Sequence, residues 1–226
     1  MKIPISLIST TLLAKNTLAQ QEYFPPQYKK SQPVIHHTHE KIVLFLHLSF
    51  DGFCATKDGD LNWIPYNSEL QKYADTIVQS VGSPMYGRNT FELMKYWRQF
   101  LNDPSASQHD REHAQWIEKI EKIVFSTTLK TEDWNNTKII SGNIVEEVTK
   151  LKEQEGKDLV IFGSPTLATS LMELGLIDEF QLTVSPVILG EGKTFLRNIT
   201  KKANLELISS ETIEDGVIAV HYRLLK

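Results

Sequence analysis

The sequence has a single cysteine, Cys54, among 226 residues. One thiol excludes an internal disulfide framework and any multi-cysteine metal site, and reads as a small buried hydrophobe. There is no excess of positive charge: 24 Lys and Arg stand against 28 Asp and Glu, for a net charge of −4. That leaves no basic footprint for nucleic acid. No G-x-G-x-x-G occurs, and Gly190-Glu191-Gly192-Lys193-Thr194 is not the tail of a P-loop, because Val187 stands where the first glycine would be. What is present is 41% hydrophobic and 23% charged residues, the balance of a soluble globular chain long enough to bury one substantial core.

The N-terminus carries a separate signal. Met1-Lys2, a mostly apolar run from Ile3 to Ala14, and Lys15-Asn16-Thr17-Leu18-Ala19-Gln20 follow the plan of a secretory signal peptide, with residues 1–19 removed. The alternative is a disordered leader or a misplaced start at a non-Met codon. The apolar run is too short to be a permanent membrane span. Residues 20–40 hold Pro25-Pro26 and Pro33 and read as a linker. His36, His37 and His39 in it read as a solvated tail rather than a metal site. The chain thus divides into a leader and linker, 1–40, and one domain, 41–226.

Within the domain, Asp158-Leu159-Val160-Ile161-Phe162 is a short apolar run with β-branched members, which suits a strand covered on both faces. Gly163 allows a tight turn, Ser164 is a good N-cap and Pro165 fits the first helical position. Leu167, Ala168, Leu171, Met172 and Leu174 line one helical face, and Gly175 can end the helix. A helix N-terminus at the carboxyl end of a strand presents free N–H groups and a positive dipole end, which suit a phosphate. Ser83-Pro84-Met85-Tyr86-Gly87-Arg88-Asn89-Thr90 repeats that plan, with Phe91, Met94, Trp97 and Leu101 predicting one helix through 101. Arg88 adds a fixed cation and Thr90 a hydroxyl. Two such turns make a dinucleotide a reasonable ligand.

Other elements follow from pattern. Lys41 to Phe50 is apolar on both faces, as a central strand should be, and His47 within it reads as a hydrogen-bonded core histidine. Asp51-Gly52 ends that strand. Residues 57–63 form a loop long enough for a lid, with Trp63 able to cover a flat ring. Ser68 opens a helix, with Gln71 completing a capping box. A helix covers about 110–119, a strand 123–125 leads to Ser126-Thr127-Thr128, and Asn143 caps a further helix. Strands near 205–209 and 217–224 are joined through the turn pair Asp215-Gly216.

Met85-Tyr86-Gly87-Arg88-Asn89-Thr90, Leu48-Ser49-Phe50-Asp51-Gly52-Phe53, the Phe162-Gly163-Ser164 turn, Gly175 to Glu179 and Pro186 to Gly192 together, in this order and spacing, resemble one family. It is the dihydrofolate-reductase-like superfamily, in the branch that includes the C-terminal reductase domain of riboflavin biosynthesis. The resemblance covers about residues 41 to 225. It implies an α/β fold: a mixed, mostly parallel sheet flanked by helices, closed by a C-terminal antiparallel hairpin. It also implies an NADPH-dependent oxidoreductase, with NADH as the alternative cofactor. Gly87, Arg88 and Thr90 would hold one part of the dinucleotide phosphates, and Gly163, Ser164, Thr166 and Leu167 another. Ser126, Thr127 and Thr128 would lie on the adenosine side. Many members carry arginine where Thr127 stands, which moves the balance away from a 2′-phosphate.

The expected reaction is hydride transfer to a small nitrogen heterocycle, pterin- or pyrimidine-like, or to a ribosylamine. The alternatives are a riboflavin-pathway ribosylaminopyrimidine reductase and a non-catalytic nucleotide- or pterin-binding protein. Asp51 is the candidate for binding substrate or relaying a proton. Dihydrofolate reductases place a carboxylate early in their first helix, and Glu69 is the nearest match. The expected partners are a small-molecule substrate and, as an open alternative, a second copy in a homodimer, with neither nucleic acid nor membrane. Nicotinamide chemistry favours the cytoplasm, against the export signal at the N-terminus.

Overall fold

The computed structural model describes residues 41–197 and 199–226. The signal-peptide and linker expectations for residues 1–40, and the three histidines at 36, 37 and 39, lie outside the described residues. Among the described residues, five α-helices and ten strands alternate along the chain. Eight of the strands form one sheet.

The sheet is built around β1 (Ile42–Ser49). Its even-numbered residues Ile42, Leu44, Leu46 and Leu48 face one core and Val43 and Phe45 face another, because successive side chains alternate across a strand. β1 pairs in parallel with β6 (Asp158–Phe162) on one side and β7 (Glu179–Ser185) on the other. β3 (Val81–Gly87), β4 (Lys122–Phe125) and β5 (Thr137–Ile140) extend the parallel part beyond β6. β9 (Asn204–Thr212) and β10 (Ile218–Leu225) add the antiparallel end, giving the order β5-β4-β3-β6-β1-β7-β10-β9. Asp215 and Gly216 turn between the last two with φ of 62° and 74°, which is why this pair suits the hairpin. A two-stranded ribbon of β2 (Phe53–Ala55) and β8 (Lys193–Thr194) stands apart.

The helices cover both faces. α4 (Ile144–Lys152) and α5 (Pro165–Glu173) bury Val148, Leu151, Leu167, Ala168 and Leu171 on the Leu44 side. α1 (Ser68–Ser80) packs Ala74 and Ile77 on the Phe45 side. α2 (Arg88–Met94) and α3 (Gln108–Lys119) continue that layer through Phe91 and Ile117, against Tyr86, Val124 and Trp134.

Two local expectations change. The cap of α1 is Asn67, whose Oδ1 accepts from the amides of Glu69 and Leu70 at 3.2 and 2.9 Å, so Ser68 is the first helical residue. The helix expected to run through 101 is α-helical only to Met94 and winds as a 3₁₀-helix over Lys95–Leu101. At the junction, Lys95 Nζ is drawn to Glu92 at 3.0 Å and Glu132 at 2.8 Å, and the Trp97 ring lies 4.1 Å from that of His113. The contacts of Lys95 with Glu132 and of Trp97 with His113 lie far apart in sequence, so the apolar spacing alone cannot report this stretch.

One carboxylate ties the amino end of the central strands to the antiparallel end. Glu179 accepts from Lys41 Nζ at 3.0 Å and His221 Nε2 at 2.9 Å, with Arg223 Nε at 3.5 Å, and its side chain is only 6% exposed. Burial pushes this carboxyl up, but the hydrogen bonds from His221 and Lys41 outweigh it and hold the pKa at about 2. The unfolded value is about 4.5. A folded pKa below the unfolded one gives stability that is complete above pH 4.5 and is lost as pH falls toward 2. Glu179→Gln should therefore cost roughly 2–4 kcal/mol at neutral pH. In denaturant titrations at stepped pH, the gap to the parent protein should close between about pH 4.5 and 2. A gap independent of pH would assign the loss to packing instead.

Candidate active site

Open parallel sheets bind ligands beyond the carboxyl ends of their strands, where neighbouring strands send their helices to opposite faces. Here that place lies between β3 and β6. After Gly87 the chain enters α2 on the Phe45 side of the sheet, whereas after Phe162 it enters α5 on the Leu44 side. The two turns therefore meet edge to edge at the mouth of a crevice. A cavity of about 840 Å³ opens there, within the range that ligand sites occupy.

The turn after β6 is unusual in its backbone. Gly163 and Ser164 both have left-handed conformations, with φ of 56° and 51°. Glycine adopts this freely, but for serine it carries a cost of roughly 1–2 kcal/mol. Ser164 does not act as the expected side-chain cap of α5. Its hydroxyl instead donates to Phe162 O at 3.1 Å and accepts from the amide of Gly87 at 3.0 Å. The side chain is therefore a clasp between the two turns, and it is buried at 4% exposure. Gly163 is likewise engaged, its amide donating to Phe45 O at 3.0 Å. The amides of the two glycines are thus used within the protein. The donors left at this turn are the amide of Ser164 itself and the first-turn amides of α5 beyond Pro165, those of Thr166 and Leu167. A β-carbon at Gly163 would meet Thr90 at an ordinary 3.7 Å, so what restricts this position is φ, not space.

All ten residues expected to hold cofactor line this one cavity: Gly87, Arg88, Thr90, Ser126, Thr127, Thr128, Gly163, Ser164, Thr166 and Leu167. The third turn joins the first through Arg88, which donates to Thr128 Oγ1 at 2.7 Å. Ser126 Oγ shapes that third turn by accepting from the amides of Leu129 and Thr128 at 2.9 and 3.3 Å. Leu167 is mainly a core residue at 6% exposure.

The two carboxylates considered for catalysis stand elsewhere, since neither Asp51 nor Glu69 lines the cavity. Asp51 accepts from Ser49 Oγ at 2.7 Å and from the amides of Leu189 and Gly190 at 3.1 and 2.8 Å. It pins the end of β1 to the loop after β7, and these bonds, that from Ser49 first, hold its carboxyl below the usual range. Glu69 is exposed on the first turn of α1 and pairs with Lys72 at 2.6 Å. Geometry thus makes one a turn clasp and the other a surface ion pair.

Among the described residues no carboxylate lines the cavity, and the two full charges that do are the cations Arg88 and Lys193. Two histidines line it as well. Burial holds His47 at about 4, and burial followed by the charge of neighbouring His109 holds His113 at about 4. Both are neutral at physiological pH. Among the described residues the lining is thus positive and apolar, with the Asp75 carboxylate acting on Tyr66 and His113 without itself lining the cavity, which suits an anionic ligand carrying flat rings.

Sequence reasoning left out His47, Tyr66, Asn89, His113, Ser141 and Lys193, all of which line the cavity. His47 looks like core in sequence because its neighbours on β1 are apolar. Lys193 arrives through the β2–β8 ribbon, for which the sequence gives no pairing signal. Of the loop expected as a lid, 57–63, Gly59 and Leu61 line the cavity, as does Ile64 just beyond it, whereas Trp63 does not. Cys54, whose Sγ donates to Lys193 O at 3.1 Å, is buried as expected and borders the same space. Among the described residues no group of three or more His, Cys, Asp and Glu could hold a metal, and no helix is long and apolar enough to cross a membrane.

The clasp can be tested directly. Ser164→Ala removes the hydroxyl, leaves the Gly87 amide unpaired and keeps the left-handed strain, so it should cost about 1–3 kcal/mol. Ser164→Gly loses the same bond but relieves the strain, and should be the milder change. Chemical denaturation of both variants measures the order. Equal and small losses would reduce Ser164 to an ordinary turn residue.

The comparisons with known proteins agree with this architecture. The model of the RibD C-terminal domain family matches residues 40–219. The protein YyaP of Bacillus subtilis (strain 168) is 35% identical over 184 residues, covering 80% of this chain and 94% of that one. Among solved structures, the diaminohydroxyphosphoribosylaminopyrimidine deaminase/5-amino-6-(5-phosphoribosylamino)uracil reductase of Thermotoga maritima superposes with a TM-score of 0.59 at 16% identity. That match covers 83% of this chain and 57% of the other. Dihydrofolate reductase from Enterococcus faecalis, complexed with NADP(H), superposes with a TM-score of 0.55 at 16% identity, covering 82% of this chain and 97% of that one. At such identities the likeness is one of fold, the dihydrofolate-reductase-like fold. With more than half its length matched by the family model and a relative more than 30% identical, the chain belongs to the RibD C-terminal domain family.

Proposed function

We propose that the protein is an NAD(P)H-dependent reductase that transfers hydride to a small nitrogen heterocycle, pterin- or pyrimidine-like, or to a ribosylamine. The observation that carries this reading is the convergence of three strand-end turns on one cavity whose full charges are both positive. A dinucleotide pyrophosphate fits that chemistry: Arg88 is a rigid cation beside the first turn, and the positive end of α5 stands at the second. Apolar and aromatic walls in the remainder of the cavity suit the nicotinamide and a flat acceptor. The bound cofactor would supply the hydride. The protein's part is to align the rings and keep water out.

A second reading is a ribosylaminopyrimidine reductase, like the activity for which the Thermotoga maritima neighbour is named. The feature that favours it is Lys193, a second cation in the cavity wall that could receive a phosphorylated substrate.

Titration calorimetry should detect NADPH or NADH binding, and Arg88→Ala should weaken it by roughly 1.5–3 kcal/mol, the loss of one charge-assisted phosphate contact. Cofactor oxidation is then followed with pterins, pyrimidines and ribosylaminopyrimidines as acceptors. Dihydrofolate should turn over below about 1 per second, the lower end of ordinary enzyme rates, because among the described residues no carboxylate lines the cavity to serve its ring. Absence of any cofactor binding by the parent protein would overturn the reductase reading.

A further inference from the structure

Away from the three turns, the cavity continues along the α1 side of β1 between Phe45, Leu61, Ile64, Tyr66 and Ala74. His47 is set in this otherwise aromatic and aliphatic wall. Its Nδ1 lies 2.6 Å from Thr183 Oγ1, and Thr183 on β7 is fully buried. The imidazole stands edge-on to Phe45, with centroids 5.0 Å apart at 74°, and 6.5 Å from Tyr66 at 76°. Three neighbours thus fix its plane. Nε2 has no hydrogen-bond partner among the described residues, and it is not one of the sealed polar atoms there, which are Trp63 Nε1, Gln181 Oε1 and Ser185 Oγ. It opens to the cavity that the residue lines.

We propose that His47, held in place by Thr183, is the substrate-recognising residue of this cavity, and that it takes the ring edge of an uncharged nitrogen heterocycle bearing a lactam, in preference to a cationic ring. The inference deepens the reductase reading and rests on it. A protonated diaminopyrimidine edge needs a carboxylate to balance its charge when water is removed. Among the described residues no carboxylate lines this cavity, the Asp75 charge acting on Tyr66 and His113 without Asp75 itself lining it, and the two full charges that do line it are positive. A neutral imidazole with one nitrogen bound to Thr183 offers a single hydrogen bond, as donor or as acceptor according to tautomer. A lactam presents N–H and C=O side by side and satisfies either. Burial reinforces the neutral form by holding the His47 pKa at about 4.

The test uses two probes of one shape, 6-hydroxymethylpterin, a neutral lactam, and 2,4-diamino-6-hydroxymethylpteridine, titrated by fluorescence against NADPH-saturated protein. The lactam should bind about tenfold or more tighter than the diamino compound. His47→Leu should lose about tenfold or more on the lactam and little on the diamino probe, with the NADPH-induced thermal shift kept. His47→Gln should recover part of the loss. Thr183→Val should weaken the lactam severalfold and Thr183→Ser restore it, which a purely structural role for the pair would not produce. Parent-like lactam binding by His47→Leu overturns the proposal, as does equal or tighter binding of the diamino probe. So does failure of the parent protein to bind either probe while NADPH binds. If no cofactor binds, the reductase reading fails by itself, and the same titrations on the protein alone still decide for or against His47. Should His47→Leu not fold, the Thr183 pair and His47→Gln decide the matter.

Discussion

The structure depends on a single hydroxyl at the seam between two halves of the parallel sheet. Ser164 Oγ accepts the amide of Gly87 and donates to Phe162 O, so two turns that lead to helices on opposite faces are locked at one separation. The crevice lies where the helices diverge, and the clasp stands at its mouth. The left-handed serine is a local cost offset by a buried bond on each side of the oxygen, the kind of strain that persists only where its surroundings over-determine it. Gly87, Gly163 and Thr90 meet at this point, and Arg88 carries the contact on to the third turn through Thr128. A change that loosens Ser164 therefore moves all three ligand-facing turns together.

Charge is arranged around the cavity by exclusion. The two carboxylates considered for catalysis are occupied elsewhere: Asp51 by Ser49 and two backbone amides, Glu69 by Lys72. What remains at the walls is Arg88, Lys193 and two neutral imidazoles. In a site of reduced dielectric, unopposed cations act strongly on phosphate, and the missing negative charge penalises a cationic ring. One arrangement thus favours an anionic ligand and disfavours a cationic ring.

Much of the fold was legible because it rests on local rules. The apolar runs at 42–49 and 158–162 call for covered strands, Pro165 calls for a helix start, and Asp215-Gly216 calls for a tight turn. These are near-neighbour statements that need no knowledge of the rest of the chain. That the ten residues expected to hold cofactor line one cavity was readable for the same reason, since they sit where a strand gives way to a helix or turn and the sheet places such ends on one edge.

Other features needed the folded molecule. The chain by itself determined that Ser164 would stand at a helix start, but not that its oxygen would face an amide 77 residues away. It placed His47 in a strand, and could not say that the strand's outer half would border a cavity with Thr183 beside it. It offered Asp51 and Glu69 as carboxylates near strand and helix ends, while their partners, fixed by the loop after β7 and by the exposed face of α1, decided that neither reaches the ligand space. Periodicity and turn chemistry act over a few residues. The direction in which a polar side chain finds its partner is settled by which strands become neighbours, a long-range property that tertiary packing alone decides.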